Sequence, residues 1–277
     1  MFLFLSVWIR RNIPILHKLY GAFIIGIAVT AASTGFSVYG TIHARQMTTR
    51  SYDISVDKHV DDISSLNVVL VADLHLGYSI GCSDMEKMVD RINALNPDVV
   101  IYAGDIFDND YDALDDPERL VEIMRNVSAA YGSYAVFGNH DVTETLVGGF
   151  STASRTKAFR DPRMETFLEQ AGINIMLDEV TTIADGNINL IGRLDGEKAG
   201  DGTSNRKDLS ELVKQCDMSK PVIVINHEPD KLHETAAMGV DVMLSGHTHA
   251  GQFFSTDYNT AFSMGKLLGN KENRQYV

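Results

Sequence analysis

The residues with the most chemistry to offer come in five short groups. They are Asp73-Leu74-His75, Gly104-Asp105-Ile106-Phe107-Asp108, Gly138-Asn139-His140-Asp141, Asn226-His227-Glu228-Pro229, and Gly246-His247-Thr248-His249. Each follows a short apolar run of the kind that folds as a strand. Carboxylates, amide oxygens and imidazoles are mixed, with no thiolate among them. That donor set suits Mn, Fe, Zn or a similar divalent ion and argues against an iron–sulfur cluster or a structural zinc. In an extended loop the two rings of His247 and His249 can reach different ions. A pair of ions needs about seven or eight ligand positions, and Asp105, with two carboxylate oxygens, is the natural bridge. Taken singly, each group has an ordinary structural explanation: Asp73 can cap a loop, Asn139 can make a turn, and His227 can be a satisfied core histidine. Five in order, all at strand ends, point to one metal site.

The elements that must position these groups alternate along the chain. Leu66–Ala72, Val99–Ala103 and Tyr134–Phe137 are β-branched or apolar runs, and helical spacing over Met85–Leu95 and Pro117–Ala130 separates them. Ser83-Asp84 with Glu86 reads as the cap of the first helix and Asp115-Asp116 as the start of the second. Strand–helix–strand at this spacing predicts a right-handed parallel sheet, whose carboxyl ends form one rim. A helix over Arg163–Ala171 follows. Ile173–Leu177, Val180–Ala184 and Ile188–Ile191, broken by Asp185-Gly186-Asn187, read as an antiparallel meander. A helix near Leu209–Cys216 then precedes two buried strands, Val222–Ile225 and Val240–Leu244, which bracket a helix over Asp230–Met238.

The chain has 277 residues, 44% of them apolar and 22% charged, enough for a sizeable core. A formal charge of −13 argues against a nucleic-acid backbone as the natural partner, since nothing offsets phosphate repulsion over a broad surface. It also speaks against a DNA exonuclease. Cys82 and Cys216 are too few for a disulfide framework and read as free thiols. Leu19–Ile42 is nearly free of charge and long enough for one bilayer crossing of roughly 20 residues. Residues 1–45 are thus expected to be a retained membrane anchor, though their small residues also suit a cleaved export signal. Arg10, Arg11 and Lys18 before the span nearly balance Arg45, Arg50 and Lys58 after it; the short leader carries its charge more densely, which leans towards an extracytoplasmic main domain. Residues 46–65 read as a linker with an edge strand at Tyr52–Val56, and 66–277 as the main domain. Arg155, Lys157, Arg160 and Arg163 form a basic stretch, read as a solvated patch; the alternative use is receiving a second phosphoryl group. His17, His43, His59 and His233 belong to no group and are read as surface or membrane-flank residues.

In this order the five groups resemble the calcineurin-like metallophosphoesterase superfamily. The Gly-His-Thr-His-Ala-Gly-Gln ending and the amino-terminal apolar segment are similar to its membrane-associated bacterial and archaeal branch. The resemblance runs from about Leu66 to Gln252 and implies a four-layer α/β/β/α sandwich of two mixed sheets. It implies a first metal held by Asp73, His75, Asp105 and His249, and a second held by Asp105, Asn139, His227 and His247. His140 would be the catalytic acid, with Asp108 the carboxylate that orients it. It further implies a phosphoric ester hydrolase acting on a phosphomonoester, phosphodiester or pyrophosphate bond, with a membrane-lipid-linked substrate as one case. A non-catalytic platform of the same fold is the rival from another class. Ala250 stands where glycine is more usual. The chain also ends soon after the last group, where family members commonly continue through further strands, which reads as a truncated carboxyl terminus.

Overall fold

The structure is a computed structural model that describes residues 14–44, 46–60, 63–144, 146–147, 150–151, 158–202, 205–249 and 262–264. Two compact units are present, residues 1–54 and 55–277. The first carries one helix, α1 (Pro14–Ala44), whose stretch Tyr20–His43 has a mean hydropathy of 1.7 and none of it buried. Phe23, Ile25, Phe36 and Tyr39 all stand in the open, so this apolar surface is uncovered among the described residues. At about 1.5 Å per residue, 24 residues extend roughly 36 Å, enough to cross a hydrocarbon core.

The second unit is built on two sheets. β1 (Val68–Val71), β2 (Val99–Ala103), β3 (Ser133–Val136) and β6 (Ile173–Ile175) lie side by side in that order, all parallel. The second sheet runs β11 (Phe262–Met264), β10 (Val242–Leu244), β9 (Val222–Ile225), β8 (Ile188–Gly192), β7 (Glu179–Ile183). Its three central strands are parallel and its two outer strands antiparallel to their neighbours. A two-residue hairpin, β4 (Leu146–Val147) with β5 (Phe150–Ser151), stands apart from both. Strands β2, β8 and β9 are buried throughout, which explains their continuous rather than alternating apolar character. The helices are α2 (Cys82–Ala94), α3 (Pro117–Met124), α4 (Pro162–Gln170), α5 (Leu209–Val213) and α6 (Leu232–Ala237). Asp116, Asp161 and Asp208 each cap the helix that follows by accepting a backbone N–H.

The sheets meet closely where Met176, just past β6, packs against Gly192 at the end of β8. A Cβ on Gly192 would lie 2.1 Å from that of Met176, so only glycine fits. Facing away from this seam, Ile191, Val224 and Met243 pack with Leu212 and Val213 of α5.

Four local expectations need correction. Ile173–Ile175 is no part of a meander: α4 carries the chain back so that it joins β3 in parallel, and only β7 and β8 form an antiparallel hairpin. Short turns hid that change of sheet, because Asp178 makes its turn in the left-handed region without a glycine. The cap of α2 is not supplied by Ser83 or Asp84. Gly81 is the N-cap, and the Cys82 N–H is met by Asp115 Oδ2 at 3.3 Å from another part of the chain. Helices α3, α5 and α6 are shorter than their apolar spacing predicts. Residues 52–56 form no strand among the described residues. The segment is instead pinned at Lys58, whose Nζ lies 2.6 Å from Asp241 Oδ2 and donates to the carbonyls of Lys220 and Gly239. These partners lie at the amino-terminal ends of β9 and β10, the pole opposite the strand carboxyl ends.

Cys82 and Cys216 are free. His43, His59 and His233 are exposed. The basic stretch dissolves on inspection. Arg160 is buried over the Phe137 ring (3.7 Å) and bonded to Glu165 and the Ala199 carbonyl. Arg163 is taken up by Asp161 and Asp112. Arg155 and Lys157 lie outside the described residues, as do Arg10, Arg11, Ala250, Gly251 and Gln252.

Candidate metal centre

All five sequence groups converge on the carboxyl rim of the two sheets. Asp105, 1% exposed, is the hub. Its Oδ2 is 3.1 Å from His227 Nε2 and 3.8 Å from His75 Nε2, and its Oδ1 accepts the His140 N–H at 2.8 Å. Around it, Asp73, His75, Asp105 and His249 place four candidate ligand atoms within 4.8 Å of one another, and Asp105, His227 and His247 do the same. Asn139 completes the second group: its Oδ1 is 3.1 Å from His227 Nε2 and 3.0 Å from His247 Nδ1. The rings of His75 and His249 stack at 5.1 Å, and those of His227 and His247 meet edge-on at the same separation.

The local backbone explains how the rim presents these groups. Asp73, His75, Asp105, His247 and His249 all have positive φ, between 47° and 72°. A non-glycine residue there is strained, and such strain concentrates where a side chain must be aimed. Asp73 Oδ1 accepts the His247 N–H at 2.8 Å, joining the first and last groups. Asp141, wholly buried, accepts the Phe107 N–H on one oxygen and the Gly138 N–H on the other, both at 2.7 Å. It thereby ties the loop carrying Asp105 to the loop carrying Asn139 and His140. At Gly138 a Cβ would fall 2.3 Å from Asp105 Oδ1, so the glycine of that group is required by close approach to the hub.

The donors fit divalent cations on three counts. His75 Nε2 is buried and has no hydrogen-bond partner, a costly state for a polar atom that nothing fills. His227 Nδ1 donates to the Ala103 carbonyl at 2.8 Å, which leaves Nε2 as the ring atom facing Asp105 and Asn139. The electrostatics agree. Burial works against a charged His227, yet the Asp105 carboxylate overrides it and lifts the ring to about 9. Asp105 resists burial likewise and is drawn down to about 2 by His227. The Asp105 carboxylate thus favours a positive charge at His227 Nε2, either a proton or a cation in its place. Burial raises Asp141 to about 7, with Asp105 adding to it.

Asp108 and His140 require more care. Asp108 Oδ1 stands 3.5 Å from His75 Nδ1 and 3.9 Å from His140 Nδ1, beyond hydrogen-bond distance of the latter. The group that holds the His140 ring is Asn109, whose Oδ1 accepts from Nδ1 at 2.6 Å. Asn109 is 2% exposed and is itself fixed by donating to the Val142 carbonyl. Nothing in the sequence singled it out, since it sits one residue past the carboxylate of its group. Burial lowers the pKa of His140, against the pull of Asp105. Asp195, behind the rim, was also missed: it is 2% exposed, accepts the Glu197 and Lys198 N–H groups, and is raised by burial.

Two sheets with a rim of mixed carboxylate, amide and imidazole donors define a metal-dependent phosphoesterase class. Residues 66–251 match the calcineurin-like phosphoesterase family, and the chain belongs to it. It is 29% identical over 245 residues to a Danio rerio protein named transmembrane protein with metallophosphoesterase domain, covering 83% of this chain and 50% of that one. A Bacillus subtilis protein, named uncharacterized metallophosphoesterase YkuE, is 27% identical over 86% of this chain and 76% of its own. A Chlamydia trachomatis protein named UDP-2,3-diacylglucosamine pyrophosphatase LpxG is 24% identical, over 72% and 68% respectively. The chain thus spans about half the length of its vertebrate relative.

Proposed function

We propose that this protein is a phosphoric ester hydrolase that uses two divalent cations, both of which Asp105 would help to hold. The observation that carries the reading is the sharing of Asp105 by two clusters of ligand atoms, each gathered within 4.8 Å. One cation would be held by Asp73, His75, Asp105 and His249, the other by Asp105, Asn139, His227 and His247. Bound there, such cations supply charge neutralisation for phosphoryl oxygens and a water acidic enough to act near neutral pH.

The chain's own groups do the rest. His140 stands beside the hub with Nδ1 engaged by Asn109, leaving Nε2 to give a proton to the departing oxygen. As that P–O bond breaks and a water oxygen takes its place on phosphorus, the proton prevents an alkoxide from leaving. Asp108, between His75 and His140, supplies negative charge that favours the protonated ring.

The substrate we favour is a membrane-lipid-linked phosphodiester or pyrophosphate, such as a nucleotide-activated lipid headgroup. The apolar exposed α1, read as a retained anchor followed by a linker, supports this, and so does the pyrophosphatase activity for which the Chlamydia relative is named. The denser positive charge of the short leader supports a catalytic unit outside the cytoplasm. Hydrolysis of bis-p-nitrophenyl phosphate and p-nitrophenyl phosphate by the Mn-supplemented full chain, followed by a headgroup screen, tests the reading. No hydrolysis at full metal occupancy would leave the non-catalytic platform in its place.

A further inference from the structure

A second feature of the carboxyl rim has no part in the metal centre. On the face of the second sheet that packs against α5, a cavity of about 250 Å³ opens among Arg193, Arg206, Lys207, Asn226 and Lys231. Four cationic side chains line it (Arg193, Arg206, Lys207, Lys231) against three acids (Asp208, Asp230, Glu234), in a protein whose overall charge is −13.

Arg193 is the anomaly. It is 5% exposed, and its guanidinium is only partly used: Nη2 donates to the Lys207 carbonyl at 2.7 Å, and Nε lies 3.1 Å from Asp178 Oδ1 without hydrogen-bond geometry. Nη1 is buried with no acceptor. Arg206, partly exposed, donates through Nη2 to Asn226 Oδ1, and its buried Nε also has no acceptor. Asp178 pairs with Arg193 by charge while its oxygens also accept the Leu194 and Lys207 N–H groups, and Arg193 Nη1 is left without an acceptor. Asp230, on the same wall, is taken by Asn226 Nδ2. Burial, and then the neighbouring Arg206, bring Arg193 down to about 10. Two like charges with unmet donors around a cavity carry a desolvation cost that a multivalent oxyanion relieves. Guanidinium forks suit its paired oxygens.

We propose that the Arg193–Arg206 cavity is a binding site for a phosphoryl oxyanion, either free phosphate or the phosphate group of a larger ester. The site is separate from the metal centre in its ligands but adjacent to it in the chain, because Asn226, which holds Arg206, directly precedes His227. The inference stands whether or not the metal centre hydrolyses anything.

Calorimetric titration of the EDTA-treated full chain in detergent tests it, with inorganic phosphate in one arm and methyl phosphate in the other. Removing metal silences the competing centre. Saturable binding of methyl phosphate assigns the site to an esterified phosphoryl group; binding of inorganic phosphate alone assigns it to the free ion. In either case Arg206→Gln weakens binding at least tenfold, while its Mn content before EDTA treatment matches that of wild type. Should that variant fail to fold, Lys231→Gln, on the exposed wall, provides the comparison, with a smaller loss of about threefold. Wild-type protein that takes up neither titrant, or folded variants that bind as tightly as wild type, would overturn the proposal.

Discussion

At the scale of single residues, the centre separates groups that hold a cation from groups that move a proton. Asp105→Asn removes a charge common to both clusters, so Mn stoichiometry by elemental analysis and turnover should vanish together. His140→Gln should keep the metal and lower kcat by about 10² to 10³, the range expected for a lost general acid. Equal loss of metal in both variants would contradict that division. Asn109→Leu deserves the same assay: with the ring unheld, kcat should fall about tenfold at unchanged metal content, through lost orientation. A variant as fast as wild type would return the orienting role to Asp108. The ligand types were legible in the sequence because metal chemistry restricts them to few residues. Asn109 was not, since an amide that holds a ring is chosen by distance alone, and distance appears only once the loops are folded.

At the scale of elements, what matters is how tightly the loops and sheets are drawn together. Asp141→Asn retains one acceptor and turns an NH₂ group towards a backbone N–H, either that of Phe107 or that of Gly138. Leaving a buried donor unmet costs about 1–3 kcal/mol, so chemical denaturation should show a loss of that size. Gly192→Ala drives a methyl into Met176 at the seam between sheets. Overpacking of this kind costs about 1–3 kcal/mol, and a thermal melt should register it even with metal bound. The buried strands were readable from sequence because a strand covered on both faces has no polar alternation to obscure it. Which sheet each strand joined was harder. Ile173–Ile175 carries the same local pattern whether it pairs with β3 or begins a meander, and only the return path through α4 decides. The cap of α2 was misread for a related reason: its partner Asp115 comes from 33 residues away.

At the scale of the whole molecule, α1 presents an unpartnered apolar surface, with Phe36 78% exposed. A chain with this helix should stay with the membrane fraction after alkaline carbonate washing and be released by detergent. Recovery in the wash would remove the anchor from the account. The pin at Lys58 bears on the same question. Because Lys58 is fastened beneath β9 and β10, a pull along the segment arriving from residue 54 first meets the floor of the second sheet. The strained loops on the far rim are spared that load, and thermal jostling of a tether would leave the spacing of Asp105, His227 and His247 undisturbed.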